Sequence, residues 1–88
     1  MNKITFTENA WEEYLAWQVT DRKTLKKLNA LLRKITRTPY EGTGKPEPLR
    51  GELARLWSRR INQKDRLVYY AEEDRIVVYQ CKGHYEDK

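Results

Sequence analysis

The apolar residues of this chain change their spacing once, and that change limits the folds open to it. Between residues 8 and 37 they recur every three or four positions, as on one face of an α-helix. Beyond residue 52 they alternate with polar residues, which is typical of half-buried β-strands. The stretch between, Thr38 to Leu49, holds all three prolines and two of the four glycines. The sequence therefore predicts a helical part and a sheet part, joined by a stiff loop.

The helical part is preceded by a short strand. Lys3 to Phe6 alternates polar and apolar residues, and Thr7 then stands where a helix N-cap is expected. We predict a first helix from Glu8 to about Val19. The residues that we assign to its apolar face are Trp11, Tyr14, Leu15 and Gln18.

A second helix follows after a short join, so the two form a helical hairpin. Thr20 or Asp21 is placed to cap it, and it runs from Arg22 to about Thr36, before Pro39. Its opposite face is basic, and this face is either solvated or a docking surface for a large RNA or an acidic partner. The apolar stripe contains Leu25, Leu28, Leu31, Leu32 and Ile35.

Three alternating runs in the second half predict an antiparallel β-meander. They start at Trp57, at Arg66 and at Arg75, and the polar turns between them are short. The fold class is α+β: a single domain over residues 1–88 with an N-terminal strand, a helical hairpin and the meander. The helices pack on one face of the sheet. We expect the other face to be open and lined by basic residues.

Composition excludes several classes of protein. The only cysteine, Cys81, allows no internal disulfide, which fits a reducing cytoplasm, and we assign it to the core rather than to a nucleophile. One histidine and one cysteine argue against a transition-metal site, and we expect no cofactor. No apolar run approaches the length of a membrane span, and the N-terminus has no signal-peptide pattern.

Positive charge is concentrated in one window. The formal net charge is +5, and residues 50–66 contain six basic residues and only two acidic ones, Glu52 and Asp65. A basic run interleaved with aromatic residues indicates a polyanionic partner. The six are Arg50, Arg55, Arg59, Arg60, Lys64 and Arg66.

These residues can support metal-free cleavage of RNA, because the 2′-hydroxyl beside the scissile phosphate is an internal nucleophile. Glu47, between two prolines, is the candidate base. Arg60 and Arg66 are candidate phosphate clamps, since a guanidinium matches phosphate oxygens. Imidazole is the side chain that titrates nearest neutral pH, so His84 is the candidate acid, and Tyr85 can stack on a base. Whether Arg60 and Arg66 share a face depends on a strand register that the sequence does not specify.

Five segments together resemble the YoeB-type toxins of the RelE/ParE superfamily. They are WEEYLAWQ (11–18), RTPYEGTGKPEPL (37–49), LWSRRI (56–61), DRLVY (65–69) and CKGHY (81–85). The resemblance covers nearly the whole chain. It implies a fold similar to microbial ribonucleases and a bacterial type II toxin that cleaves mRNA in the ribosomal A site, without a metal, and so halts translation.

The resemblance also implies residue roles. Glu47, Arg66, His84 and Tyr85 match the family's catalytic positions, and Arg50 and Arg60 match basic positions near them. Lys45, in the same Gly-Lys-Pro-Glu block, completes the predicted phosphate-binding set. Two features depart from the family pattern. The residues Glu86-Asp87-Lys88 follow the His-Tyr pair, and Gly83 precedes it and is expected to loosen that strand end.

The implied partners are a YefM-type antitoxin, the 70S ribosome carrying mRNA, and operator DNA through the antitoxin complex alone. A homodimer is compatible with the resemblance, and a membrane is not expected. The alternative function is a non-catalytic, ParE-like inhibitor or a nucleic-acid-binding module, since ParE-like members share the fold but inhibit DNA gyrase. Glu47 and the His-Tyr pair favour catalysis over that alternative.

Overall fold

A computed structural model describes residues 2–49 and 55–83. The described residues form two helices and five strands in the predicted order of strand, helical hairpin and sheet. In chain order these are β1 (Lys3–Phe6), α1 (Glu8–Thr20), α2 (Arg22–Ile35), β2 (Glu47–Pro48), β3 (Trp57–Arg60), β4 (Arg66–Glu72) and β5 (Arg75–Gln80).

Both helices begin at the predicted caps. The Thr7 hydroxyl accepts a hydrogen bond from the Ala10 amide at 3.1 Å at the start of α1. Asp21 caps α2 with both carboxylate oxygens, which accept from the amide of Thr24 at 3.1 Å and from its hydroxyl at 2.7 Å. The Thr24 hydroxyl, and then its amide, lower the pKa of Asp21. Each cap satisfies amide groups that the first helical turn leaves without partners.

The five strands form one mixed sheet in the order β1-β5-β4-β3-β2. The predicted antiparallel meander is confirmed for β3, β4 and β5. β1 joins the far edge parallel to β5, with Lys3 opposite Arg75. The segment predicted as a loop contains a short strand, β2. Its residues Glu47 and Pro48 pair with Ser58 and Trp57 of β3. Pro48 is tolerated there because β2 is an edge strand.

The helices pack on one face of the sheet, as predicted. The main core holds residues of α1 and α2 against the inward residues of β3, β4 and β5. Its buried members include Ala10, Trp17, Leu28, Leu31, Leu32, Ile35, Ile61, Leu67, Tyr69, Ile76, Val78 and Cys81.

The buried face of α1 is only partly the predicted one, although Tyr14 packs against the main core as expected. Ala10 and Trp17 are buried, whereas Trp11 and Leu15 keep 45% and 39% of their surface exposed. The small side chain of Ala10 lets the helix approach β5 closely, and the Cys81 thiol donates to the Ala10 carbonyl at 3.5 Å. Trp17 turns inward because its indole N–H donates to the Cys81 carbonyl at 2.8 Å.

The second face of the sheet is partly covered rather than open. Leu49 and Leu56 pack there against Val68 of β4, and all three are buried. Tyr70 packs at the margin of this cluster. The cluster lies beside β2, so it fixes the end of the segment that carries Glu47.

Candidate active site

The strand register places three of the predicted site residues on one face of the sheet. Glu47 pairs with Ser58, and Arg60 pairs with Arg66. Directly paired residues point to the same side, and residues two apart on a strand do so as well. Glu47 and Arg60 are therefore offset by about two strand positions, roughly 7 Å along the strand. The question that the sequence left open is answered: Arg60 and Arg66 share the face of Glu47.

Arg66 is held in place by the turn that precedes it. Its Nη1 donates to the carbonyl oxygens of Asn62 at 2.8 Å, Gln63 at 3.1 Å and Asp65 at 3.2 Å. Within the described residues, every hydrogen bond of this guanidinium comes from Nη1. A guanidinium fixed at one nitrogen keeps a defined direction for an incoming phosphate oxygen.

Arg59, next to Arg60, has a structural role that was not predicted from the sequence. It is completely buried on the core face. Its guanidinium donates to the carbonyls of Thr43 at 3.1 Å and Glu41 at 2.8 Å, and also to that of Thr38. The segment 38–43 is therefore tied to β3 a few residues before Glu47. The alternation of Arg59 with Trp57 and Ile61, both apolar, was the signal that could have placed it inside.

Tyr69 completes this arrangement. Its hydroxyl accepts from Arg59 Nε at 3.0 Å and donates to the Pro39 carbonyl. Burial raises the pKa of Tyr69, although the neighbouring Arg59 opposes the change. The hydroxyl therefore stays protonated and can keep donating. A buried cation and a buried phenol together satisfy four backbone carbonyls of one loop.

Lys45 is exposed and adopts a left-handed backbone conformation, with φ of 52°. The preceding residue, Gly44, accepts a hydrogen bond from the Arg60 amide at 2.8 Å. Lys45 is therefore the next residue after one that is hydrogen-bonded to Arg60, and it lies near the end of β3 that carries Arg60. Gly44, Lys27, Leu31 and Arg60 also line a cavity of about 300 Å³ between α2 and this loop.

The remaining predicted site residues, Arg50, His84 and Tyr85, lie outside the described residues. The structure does describe Gly83, to which His84 is bonded. The Gly83 carbonyl accepts from the Arg66 amide at 3.0 Å, so the residue that precedes His84 lies beside Arg66. Gly83 was expected to loosen the strand end, but its carbonyl and its amide are both hydrogen-bonded.

Cys81 is a core residue, as predicted. It is fully buried, and burial raises the pKa of its thiol to about 12, with smaller contributions from Glu13 and Asp65. Within residues 2–49 and 55–83 no group of three or more His, Cys, Asp and Glu side chains is arranged to hold a metal ion. Among the same residues no helix is long and apolar enough to cross a membrane.

The structure thus defines a class of protein, a small α+β domain with a carboxylate and two arginines on one face of its sheet. The chain matches, over residues 6–85, the family described as the YoeB-like toxin of bacterial type II toxin–antitoxin systems. The toxin YoeB of Streptomyces coelicolor is 48% identical over 83 residues, covering 94% of this chain and 99% of that protein. This chain belongs to the YoeB-like toxin family.

Solved structures agree with that assignment. The YoeB/ParE toxin from Agrobacterium tumefaciens is 45% identical, with a TM-score of 0.90 over 94% of this chain and 99% of that one. The YoeB-YefM complex from Staphylococcus aureus gives 43% identity and a TM-score of 0.88, over 97% and 99% of the two chains. A YoeB dimer from the same organism gives 45% identity and a TM-score of 0.88, over 96% and 98%.

Proposed function

We propose that this toxin is a ribosome-dependent endoribonuclease that cleaves mRNA in the ribosomal A site and so stops translation. One observation carries the proposal: the register of β2, β3 and β4 puts Glu47, Arg60 and Arg66 on one face of the sheet. A base and two phosphate-binding cations are the groups that attack by an internal 2′-hydroxyl requires. Membership of the YoeB-like family supports the same reaction.

The proposed reaction is acid–base catalysis. Glu47 takes the proton of the 2′-hydroxyl, whose oxygen attacks the adjacent phosphorus. Arg60 and Arg66 stabilise the charge that develops on the phosphoryl oxygens. His84 gives a proton to the departing 5′-oxygen, and the bond from phosphorus to that oxygen breaks. The products are a 2′,3′-cyclic phosphate and a 5′-hydroxyl.

The other predicted residues support binding. Tyr85 stacks on a base or orients the substrate, and Lys45 and Arg50 add contacts to phosphates. No step of this scheme requires a metal ion or cofactor, because the substrate supplies its own nucleophile. The scheme therefore makes a chemical prediction: an mRNA with a 2′-deoxynucleotide at the cleaved position is not cut.

The test is a reconstituted translation reaction with the mRNA 5′ ends mapped by primer extension. Wild type is compared with Glu47→Gln and His84→Gln, and with Glu73→Gln as a matched control in the exposed β4–β5 turn. We expect new ends within the A-site codon for wild type and Glu73→Gln. Each site variant should lose activity by about 10²-fold or more.

Two results would overturn the proposal. Full cleavage by Glu47→Gln would remove its role as the base. Blocked translation without any cut would mean that the toxin binds the ribosome without cleaving mRNA. If translation is unaffected, the non-catalytic ParE-like alternative becomes the better explanation, and inhibition of DNA gyrase is then measured.

We also propose that a YefM-type antitoxin neutralises this toxin and that operator DNA is bound only through their complex. The Staphylococcus aureus YoeB-YefM complex and the YoeB dimer support such a partner and a homodimer. The expected antitoxin segment is acidic and folds on binding, which suits a toxin with a net charge of +5. Adding the antitoxin to the translation reaction should restore synthesis in a stoichiometric way.

A further inference from the structure

A buried carboxylate in the turn before β4 holds the residue that precedes His84. Asp65 is only 3% exposed. Its Oδ1 accepts a hydrogen bond from the Gly83 amide at 2.7 Å, and its Oδ2 accepts one from Asn62 Nδ2 at 3.0 Å. Asp65 and Gly83 are 18 positions apart in sequence, so this bond joins the turn to the C-terminal end of the chain.

Gly83 is fixed on its other side as well. Its carbonyl accepts from the Arg66 amide at 3.0 Å and from Gln80 Nε2 at 3.2 Å. Its φ is +78°, in the left-handed region that glycine adopts without strain. Both polar backbone groups of Gly83 are thus bonded, and two of the three partners belong to the Asp65-Arg66 pair.

The turn has hydrogen bonds that do not involve the Asp65 side chain. Asn62 closes it, because its Oδ1 accepts from the amides of Lys64 at 2.9 Å and Asp65 at 2.8 Å. Burying a carboxylate is unfavourable unless hydrogen bonds replace its hydration. Among the described residues Asp65 forms no ion pair, and its partners are neutral. The carboxylate therefore strengthens both of its hydrogen bonds, and the one to Gly83 is the one that reaches beyond the turn.

The same turn also orients Arg66, whose Nη1 donates to the carbonyls of Asn62, Gln63 and Asp65. One short segment, residues 62–66, thus sets both the direction of Arg66 and the position of Gly83. Since His84 is bonded to Gly83, fixing Gly83 limits the conformations open to His84. Fixing Gly83 should raise the fraction of molecules in which the acid, His84, and the phosphate-binding Arg66 are correctly arranged for cleavage.

We propose that Asp65 is a positioning residue, which holds Gly83 beside Arg66 and acts on cleavage through the peptide bond from Gly83 to His84. This inference rests on the proposed function, because it gives Asp65 its effect through His84. This role does not require Asp65 to contact the substrate. Loss of Asp65 should therefore lower the rate of cleavage and leave ribosome binding unchanged.

The decisive experiment is a double-mutant cycle on single-turnover mRNA cleavage by ribosome-bound toxin. The variants are Asp65→Ala, His84→Gln and both together, with Asp74→Ala in the exposed β4–β5 turn as the control. We expect Asp65→Ala to lower the rate about tenfold or more, with unchanged ribosome affinity. In the His84→Gln background the same change should have no further effect. Equal losses in both backgrounds would overturn the inference.

A second variant separates the hydrogen bond from the charge and guards against misfolding. Asp65→Asn keeps an oxygen that can accept from the Gly83 amide. We expect it to cleave faster than Asp65→Ala and more slowly than wild type, since the bond becomes weaker but is retained. An Asp65→Asn protein as slow as Asp65→Ala, with Gly83 still protected from exchange, would overturn the positioning role.

Hydrogen exchange at the Gly83 amide keeps this inference distinct from the proposed function. Asp65→Ala should lose about tenfold or more of the protection at Gly83, while amides of the β4–β5 core keep theirs. Unchanged protection would overturn the hydrogen-bonding role directly. If protection is lost but His84→Gln cleaves at the wild-type rate, Asp65 still holds Gly83, and the acid role of His84 is what fails.

Discussion

Arg60 of β3 and Arg66 of β4 are direct cross-strand partners, so two like charges oppose each other in the sheet. Such pairs destabilise a sheet. They are placed beside Glu47, whose partner Ser58 lies two residues from Arg60. A bound phosphate would offset the repulsion, and the pair therefore suits anion binding better than stability of the free protein.

The first prediction follows from this pair. Arg60→Gln removes the repulsion, so the free energy of unfolding should stay the same or rise by up to about 1 kcal/mol, while cleavage decreases. Urea unfolding and the primer-extension reaction measure the two effects. Arg33→Gln, on the exposed side of α2, is the control for the free energy of unfolding, and Glu73→Gln is the control for cleavage. A clear loss of stability in Arg60→Gln would show that Arg60 contributes to the fold instead.

The second prediction concerns salt. Each phosphate contact releases counterions, so the logarithm of ribosome affinity should fall linearly with the logarithm of salt concentration. Arg60→Gln should reduce that slope by about 0.7, the value for one contact to single-stranded nucleic acid. Lys26→Gln, on the exposed side of α2, decides between the two readings of that basic face. An unchanged slope indicates a solvated face, and a reduced slope indicates docking on RNA.

The element boundaries were predictable because they depend on local chemistry. Thr7 and Asp21 cap their helices as the sequence indicated, since a capping side chain bonds within three residues of itself. The spacing of Leu28, Leu32 and Ile35 also identified the buried side of α2 correctly. On α1 the same reasoning identified Tyr14 but not Ala10 and Trp17, because bulky Trp11 and Leu15 outweighed Ala10 in the pattern.

The candidate site was predictable in its residues but not in its geometry. Alternation along β3 and β4 gives two faces per strand, yet only the pairing of Arg60 with Arg66 decides which faces coincide. The parallel pairing of β1 with β5 joins opposite ends of the chain and leaves no local signal. Arg59 was misjudged because an arginine is almost never fully buried unless it is paired.

The third prediction concerns that buried arginine. Arg59→Lys keeps the charge, but an ammonium cannot reach the carbonyls of Thr38, Glu41 and Thr43 together with the Tyr69 hydroxyl. We expect a loss of about 3 kcal/mol in unfolding free energy. Arg33→Lys is the matched control.

Limited trypsin digestion then locates the effect of Arg59→Lys. Cleavage after Arg37 should accelerate more than the loss of global stability explains, because the segment 38–43 is released. Equal acceleration at all sites would argue against a specific tie between Arg59 and this segment.

The fourth prediction compares two glycines with similar backbone conformations. Gly44 has φ of +88°, and an added Cβ would lie 3.1 Å from Leu31 Cδ2 and 3.3 Å from the Arg60 carbonyl oxygen. Gly83 has φ of +78°, with nothing within 4 Å of an added Cβ. Gly83→Ala should therefore cost only the backbone strain, about 1 kcal/mol. Gly44→Ala should cost about 2–4 kcal/mol because crowding is added. Equal losses would mean that Leu31 moves away freely.

The fifth prediction uses the one cysteine. Burial raises the pKa of Cys81 to about 12, from 9.0 for an ordinary thiol. The native thiol should therefore resist a disulfide reagent at pH 8, where only the thiolate reacts, and should react at once in denaturant. Above pH 9 the unfolded thiol ionises while the folded one stays protonated, so stability should fall as pH rises toward 12. Cys81→Ala should remove that part of the alkaline decline and keep full mRNA cleavage. A Cys81→Ala toxin that no longer cleaves would mean that the thiol does more than fill the core.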